Sequence, residues 1–395
     1  MHVTDDVLDR ITVQVADLLA QHPPGTTARR DFLSAQFDAG LAWAAFPAGQ
    51  GGQALPDQAQ REVFRLLDAA GAPNGQVDNR LAYSMGAPSV QAWGSEEQKE
   101  RYLRPLFLGE RWCQLFSEPG AGSDLAAVST RAVKDGDDWI INGQKVWTSM
   151  AELSGRGMLL ARTDPSRPKH KGLTYFVLDM ASPGVEIRPL RQMTGEAEFS
   201  EVYLTDVRIP DRDRLGPVNG GWKVALSTLM SERDMFGIKT TEAGPVEVAL
   251  RLYRDRRPQD PSLRSRLVDL WVRAHSLRLY AAQGGARSAA GTPGPEGSLS
   301  KVGFAELNKA GYELCLDLLG DDALLYGNYD AEPSTVGSPP RADSADPRLL
   351  YLRSRANSIE GGTTEMMRNI IGERVLGLPA EPRVDKDVPY SELRG

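Results

Sequence analysis

Two short segments constrain this chain more than its bulk properties do. They are Phe116-Ser117-Glu118-Pro119-Gly120-Ala121-Gly122-Ser123-Asp124 and, after one strand-like interval, Asn142-Gly143-Gln144-Lys145-Val146-Trp147-Thr148-Ser149. The first is built of small residues that leave backbone NH groups accessible. The second ends on a large aromatic followed by hydroxyls. Together they suit the edge and the face of a flat, electron-poor ring, and a fold that carries both must bring two turns of one domain to a common wall.

The flanking sequence changes character on either side of that pair. Near the N-terminus, Val7, Leu8, Ile11, Val15, Leu18 and Leu19 recur at helical spacing, as do segments around Phe32, 61–70 and 97–107. Pro47, Gly51-Gly52 and Pro73-Asn74-Gly75 interrupt this helical third. The runs 139–141, 157–161, 173–178, 185–187 and 202–209 are short, apolar or alternating, and bounded by Gly, Pro and Asp, which are strand signals. They predict a small barrel or sandwich over about 113–220. After Gly220-Gly221 the helical period returns, with Trp222, Ala225, Leu226, Leu229 and Met230 expected on one stripe, and 261–290 and 299–319 continue it as a bundle. Two interruptions, 291–297 and 330–347, read as loops. The expectation is an α+β multidomain chain: helices over 1–112, β-structure over 113–220, a helix bundle over 221–395.

Length and charge narrow the function classes. A chain of 395 residues can bury a core large enough for an internal cofactor. A net charge of −7 with Lys and Arg dispersed among acids argues against a nucleic-acid surface. Cys113 and Cys315 lie far apart without metal-ligand spacing, which suits two buried, reduced thiols. The histidines at 2, 22, 170 and 275 are scattered, so no metal is expected. No run approaches a membrane span and the acidic N-terminus is unlike a signal peptide, so a cytoplasmic protein without membrane insertion is expected.

Two glycine-rich segments invite a phosphate. Gly120-Ala121-Gly122 resembles the opening of a dinucleotide loop only weakly, because position 125 is Leu and Pro119 stands where a strand should run into the turn. A plain tight turn is the competing reading. Gly361-Gly362-Thr363-Thr364-Glu365 opens an apolar-periodic run (Met366, Met367, Ile370, Ile371, Val375) that stops at Gly377 and Pro379. Free NH groups and the helix dipole at such a start favour an anion, while an ordinary flexible helix start remains the alternative.

With these motifs in this order, the chain resembles the acyl-CoA dehydrogenase family from Gly40 to Pro379. The resemblance implies an N-terminal helical domain, a middle β-domain and a C-terminal four-helix bundle, FAD as cofactor, and α,β-dehydrogenation of an acyl-CoA. It implies that Gln114, Phe116 and Ser117 meet the flavin's pyrimidine edge. Gly122 and Ser123 would approach phosphate and acyl-CoA, Trp147 the ring and Ser149 its redox-active part. Thr363 and Glu365 would take the adenosine-diphosphate portion. The family more often has Trp-Ile-Thr-Asn where this chain has Trp147-Thr148-Ser149-Met150, so a hydroxyl is kept.

One departure is sharper. Many members carry their catalytic Glu directly before Gly-Thr, and here that position is Gly361. Glu360 is one residue off, which turns a side chain by about 100° on a helix. Long-chain and isovaleryl members instead place a Glu before an Arg on a bundle helix, and Ser231-Glu232-Arg233 fits that place. The resemblance therefore implies Glu232 as base, Arg233 beside it towards substrate, and the Gly361 amide as a donor to the thioester carbonyl. After that helix the chain has neither an Arg-x-x-Phe-Gly segment nor, near Leu318, a Gln-x-x-Gly-Gly segment; Leu319-Gly320-Asp321-Asp322 stands there. These normally reach across a dimer to hold a neighbour's FAD. A homodimer or homotetramer is one expectation, and the catalytic half of a heterotetramer with a homologous subunit is the other. Electron-transfer flavoprotein is the implied electron acceptor. An oxidase, or a dehydrogenase acting on an acyl-carrier protein, would keep the fold with changed chemistry.

Overall fold

The computed structural model describes residues 4–75, 79, 81–239, 244–289, 296–325 and 346–393; side chains at 57, 231–239, 285–289 and 296 are outside that description. The expected loops at 291–297 and 330–347 fall mostly outside the described residues.

The first part of the chain is helical: α1 (Asp5–Gln21), α2 (Arg29–Asp38), α3 (Asp57–Ala69), a π-helical turn (Ala82–Gly86) running into α4 (Ala87–Trp93), and α5 (Glu96–Phe107). The α1 periodicity buries Ile11, Val15 and Leu18 against Phe32, Leu41, Val63 and Leu67. α5 begins with a reciprocal cap in which the Gln98 NH donates to Ser95 Oγ (3.2 Å) and the Ser95 NH donates to Gln98 Oε1 (2.9 Å). The Gln98 amide nitrogen also donates to the carbonyls of Arg212 (2.8 Å) and Arg214 (2.9 Å), tying the helices to the domain that follows.

That domain is an eight-stranded sheet: β1 (Trp112–Leu115), β2 (Arg131–Asp135), β3 (Asp138–Ser149), β4 (Arg156–Arg162), β5 (Leu173–Asp179), β6 (Val185–Leu190), β7 (Phe199–Pro210) and β8 (Arg214–Leu215), in order β6-β7-β3-β2-β4-β5-β8 with β1 paired to β4. The near-continuous apolar runs of β4 and β5 follow from burial on both faces. Met158, Leu160, Tyr175 and Val177 meet the N-terminal helices, whereas Leu159, Ala161, Phe176 and Leu178 meet Trp139, Ile141, Leu204 and Val207 from the far half of the sheet. The two halves of the sheet therefore pack around a second core.

The remainder is helical again: α6 (Gly221–Lys239), α7 (Pro245–Arg256), α8 (Pro261–Ala289), α9 (Glu296–Leu319), α10 (Pro347–Ser354) and α11 (Thr364–Arg374). α9 is the central member, packing on α6, α7, α8, α10 and α11. The stripe expected on α6 is corrected in part: Ala225 is fully buried and Trp222 and Leu229 pack against the core, but Leu226 is 39% and Met230 62% exposed, and Val224 and Thr228 are buried in their place. Small residues face inward because α6 lies close to β5; a Cβ at Gly221 would stand 2.5 Å from the Thr174 carbonyl carbon. Both cysteines are buried and free, and burial pushes each thiol up to about 12, leaving them unreactive.

Candidate active site

The two motifs of the middle domain are locked together by a buried ion pair that the sequence contains but does not announce. Lys145, fully buried in β3, donates to Glu118 Oε1 (2.9 Å), the Phe116 carbonyl (3.0 Å) and the Leu160 carbonyl (2.8 Å). All three protons of the ammonium are used. Glu118 in turn accepts from the Ser129 NH (2.6 Å), the Ser129 hydroxyl (2.8 Å) and the Thr130 NH (2.9 Å). Burial works to raise the Glu118 carboxyl, but the Lys145 charge and these donors outweigh it and hold it at about 2. The Phe116 carbonyl accepts from Lys145 and the Ser117 carbonyl from the Val146 NH (2.9 Å), which ties the first motif to β3. Gln114 is half-buried at the end of β1, and Gly122 and Ser123 are exposed with open space over Gly122.

The aromatic of the second motif is held in an unusual way. The β3–β7 register shifts between Lys145 and Thr148, and Trp147 at that irregularity has φ 60°. A left-handed backbone at a bulky non-glycine residue is strained, and such positions cluster where function over-determines them. The bulge turns the indole outward: Trp147 is 60% exposed, while Thr148 beyond it is buried. Its ring is steadied edge-to-face by Phe199 at 5.9 Å. Ser149, two residues on, is half-buried and pairs with Phe199. An exposed indole beside a hydroxyl, across from accessible amides, fits the face and edge of a flavin.

The C-terminal contribution is a turn into α11. Gly361 and Gly362 have φ 62° and 94° in succession. A side chain at 361 would be strained in this backbone, which glycine adopts freely. A Cβ at Gly362 would meet Met367 Cε at 2.5 Å. Thr363 caps the helix, accepting from the Met366 NH at 3.2 Å, and Glu365 is exposed in the first turn. Glu360 is committed elsewhere, accepting from Arg353 Nη2 (2.8 Å) and Asn357 Nδ2 (2.6 Å).

α6 brings the bundle to this wall. Thr228 shares a 2.7 Å hydrogen bond with Ser89 of α4 and a 3.3 Å one with Tyr175 of β5, so one buried hydroxyl joins all three parts of the chain. Seven positions after Ala225, residue 232 falls within about 20° of the same helix face. The side chains of Glu232 and Arg233 lie outside the described residues.

A further element borders the Gly122-Ser123-Asp124 loop. Beyond α11 the chain returns to the middle domain, where Pro389 bridges Pro168, the Tyr390 NH donates to the Arg167 carbonyl (2.9 Å) and the Ser391 NH to the Pro165 carbonyl (2.9 Å). Lys169 sits between Asp124 (2.8 Å) and Asp385 (2.5 Å). The Arg162 guanidinium lies 3.6 Å from the Tyr390 ring centroid and donates to the Ala126 (2.6 Å) and Val128 (3.1 Å) carbonyls. Burial and neighbouring Lys169 push His170 down, and it packs edge-to-face on Trp222 at 4.9 Å.

Comparison with known proteins follows this geometry. Family profiles for the N-terminal, middle and C-terminal domains of acyl-CoA dehydrogenases match residues 5–110, 113–207 and 219–376. Acyl-CoA dehydrogenase IpdE1 of Mycobacterium tuberculosis is 37% identical over 349 residues, covering 87% of this chain and 86% of the relative. The solved ChsE4-ChsE5 complex of Mycobacterium tuberculosis has TM-score 0.68 at 27% identity, covering 96% of this chain and 100% of its counterpart. A structure described as the Tcur3481-Tcur3483 steroid ACAD shares the fold at TM-score 0.71 and 24% identity, covering 96% and 99%.

Proposed function

This chain belongs to the acyl-CoA dehydrogenase family, and we propose that it holds FAD against Trp147 and Ser149 and uses Glu232 to take the α-proton of an acyl-CoA thioester. The reaction is FAD-dependent dehydrogenation to the 2,3-enoyl thioester. One proton leaves the α-carbon, one hydride leaves the β-carbon, and the C=C bond forms between them. FAD, when bound, supplies the two-electron acceptor for the hydride.

The protein's part is to bind, orient and polarise. Gln114, Phe116 and Ser117 meet the flavin's polar edge, Trp147 its face and Ser149 its redox-active region. Gly122 and Ser123 lie towards phosphate and acyl-CoA, and Thr363 and Glu365 at the head of α11 towards the adenosine diphosphate. The α-proton is too weakly acidic for an unaided carboxylate, so a preorganised donor must stabilise the developing enolate, and the Gly361 amide fills that role. Exclusion of water raises the Glu232 carboxylate's basicity, while Arg233 orients substrate beside it.

The observation that carries the reading is Trp147, strained and exposed at a strand irregularity. The test is Glu232→Gln. FAD content should match wild type while anaerobic flavin reduction by an acyl-CoA panel slows by about three orders of magnitude or more. A near-normal rate removes Glu232 from the mechanism.

The missing dimer-spanning segments and the ChsE4-ChsE5 relative, described as a complex, favour a second reading of the assembly. In it this chain is the catalytic half of a hetero-oligomer in the cytoplasm, with electron-transfer flavoprotein as acceptor. Yellow protein obtained only on co-expression with a homologous subunit supports this; full flavin content when expressed alone supports a homo-oligomer.

A further inference from the structure

We propose that Arg353 is a positioning residue for this reaction: gripping Glu198 on one side and Glu360 on the other, it fixes the Trp147 wall relative to the Gly361 amide. The inference rests on the reading of the site above and names a determinant of its geometry. Arg353 Nε lies 2.6 Å from Glu198 Oε1, an ion pair off ideal hydrogen-bond alignment, and Nη2 donates to Glu360 Oε2 at 2.8 Å.

Each carboxylate belongs to one wall. The Glu198 carbonyl accepts the Met150 NH (3.2 Å), and Ser149 pairs with Phe199, so the Glu198 backbone is continuous with the Trp147 segment. The guanidinium also approaches the Phe199 ring to 5.6 Å, and Phe199 is the ring that steadies Trp147. Glu360 is the residue before Gly361. Its second oxygen accepts from Asn357, whose side-chain oxygen accepts from Asn308 (3.0 Å) and whose carbonyl accepts from Lys301 Nζ (2.8 Å), both on α9. A polar path thus runs from the centre of the bundle through Arg353 to the strand that carries the indole.

Chemistry favours arginine here. A planar fork can engage two carboxylates in fixed directions, whereas an ammonium is a flexible point charge. A purely stabilising pair could sit at any domain contact. This one ends, on both sides, next to backbone whose position decides the chemistry, and a displacement of about 1 Å there costs about a hundredfold in rate.

The experiment uses full-length protein at 10 °C with Arg353→Met, Arg353→Lys and Glu360→Gln. FAD affinity of apo-protein is read by quenching of FAD fluorescence. Steady-state constants are read with whichever acyl-CoA reduces wild type fastest. Arg353→Met should weaken FAD at least tenfold and lower kcat about a hundredfold with KM within about threefold, and Arg353→Lys should recover only part of either loss. Combined with Trp147→Phe, the effects of Arg353→Met on FAD affinity should be non-additive. The proposal is overturned if FAD affinity and kcat stay within twofold of wild type while only Tm falls. If Arg353→Met is insoluble, the same criterion applies to Arg353→Lys and Glu360→Gln. Wild type that binds FAD yet is reduced by no acyl-CoA defeats the functional reading instead, and the affinity arm still decides Arg353.

Discussion

Glu118 anchors the 116–124 loop through Lys145, Ser129 and Thr130. Removing one partner of a buried, hydrogen-bonded ion pair strands the other charge, so Glu118→Gln should cost about 3–5 kcal/mol in denaturant unfolding. The pH dependence has a definite sign. The folded carboxyl, at about 2, lies below its ordinary 4.5, so its contribution is complete above 4.5 and is lost as pH falls towards 2. The stability gap between wild type and Glu118→Gln should therefore be flat at neutral pH and shrink below 4.5; a gap that persists to pH 2.5 would contradict the pairing. Sequence pattern located Trp147 and Ser149 but passed over Glu118 and Lys145. Both stood inside the motifs that were read, and a Lys amid β3's apolar alternation was the available signal. Arg353 and Glu198 gave no signal, because their encounter joins residues 155 positions apart and no local period encodes it. Gly361 works the other way: a missing glutamate is visible in the sequence, but the left-handed backbone that the glycine adopts is not.

Among elements, long periodic segments were legible and short ones were not. α1, α8, α9 and the strands β3, β4, β5, β6 and β7 all lie where apolar spacing placed them. β1, β2, β8 and α7 did not declare themselves. β1 has four residues and β8 two, too few for alternation to show, and β2 (Arg-Ala-Val-Lys-Asp) is polar because most of it faces water. On α6, spacing places Trp222, Ala225 and Leu229 on the core side but not Leu226 and Met230, because close approach to β5 selects Gly221, Val224 and Thr228 for the tightest part of the contact. The returning segment after α11 was unreadable in principle, since its partners are the backbone of a distant loop. Deleting residues 380–395 should raise KM for acyl-CoA several-fold while sparing kcat, because it frees the Asp124 side of the Ser123 loop without touching the flavin wall. Tyr390→Ala, which empties a buried aromatic site, should cost about 3 kcal/mol by thermal unfolding.

For the whole molecule, the outward face of α8 is informative. Val268, Trp271, Val272 and Leu279 are all exposed, Trp271 at 55%, and fall within an arc of about 100° on the helix. An apolar stripe of that kind is the sort of surface that marks a protein–protein contact. Trp271→Asp should leave monomer stability within about 0.5 kcal/mol yet shift the mass measured by light scattering to a smaller species; an unchanged mass places the interface elsewhere. The three-part architecture was readable from where periodicity switched. How the parts meet, at Thr228 and along Arg353, was not, because contacts between domains leave no repeat. The return of the chain to the middle domain has a consequence for biosynthesis. Tyr390 bonds the Ala127 carbonyl across 263 positions of sequence. A ribosome releases the sheet long before it delivers that tyrosine, so the 120–128 loop must wait, incompletely buttressed, until residue 390 has emerged. Nascent chains stalled before position 385 should therefore be cut by protease within 120–128 far faster than released ones.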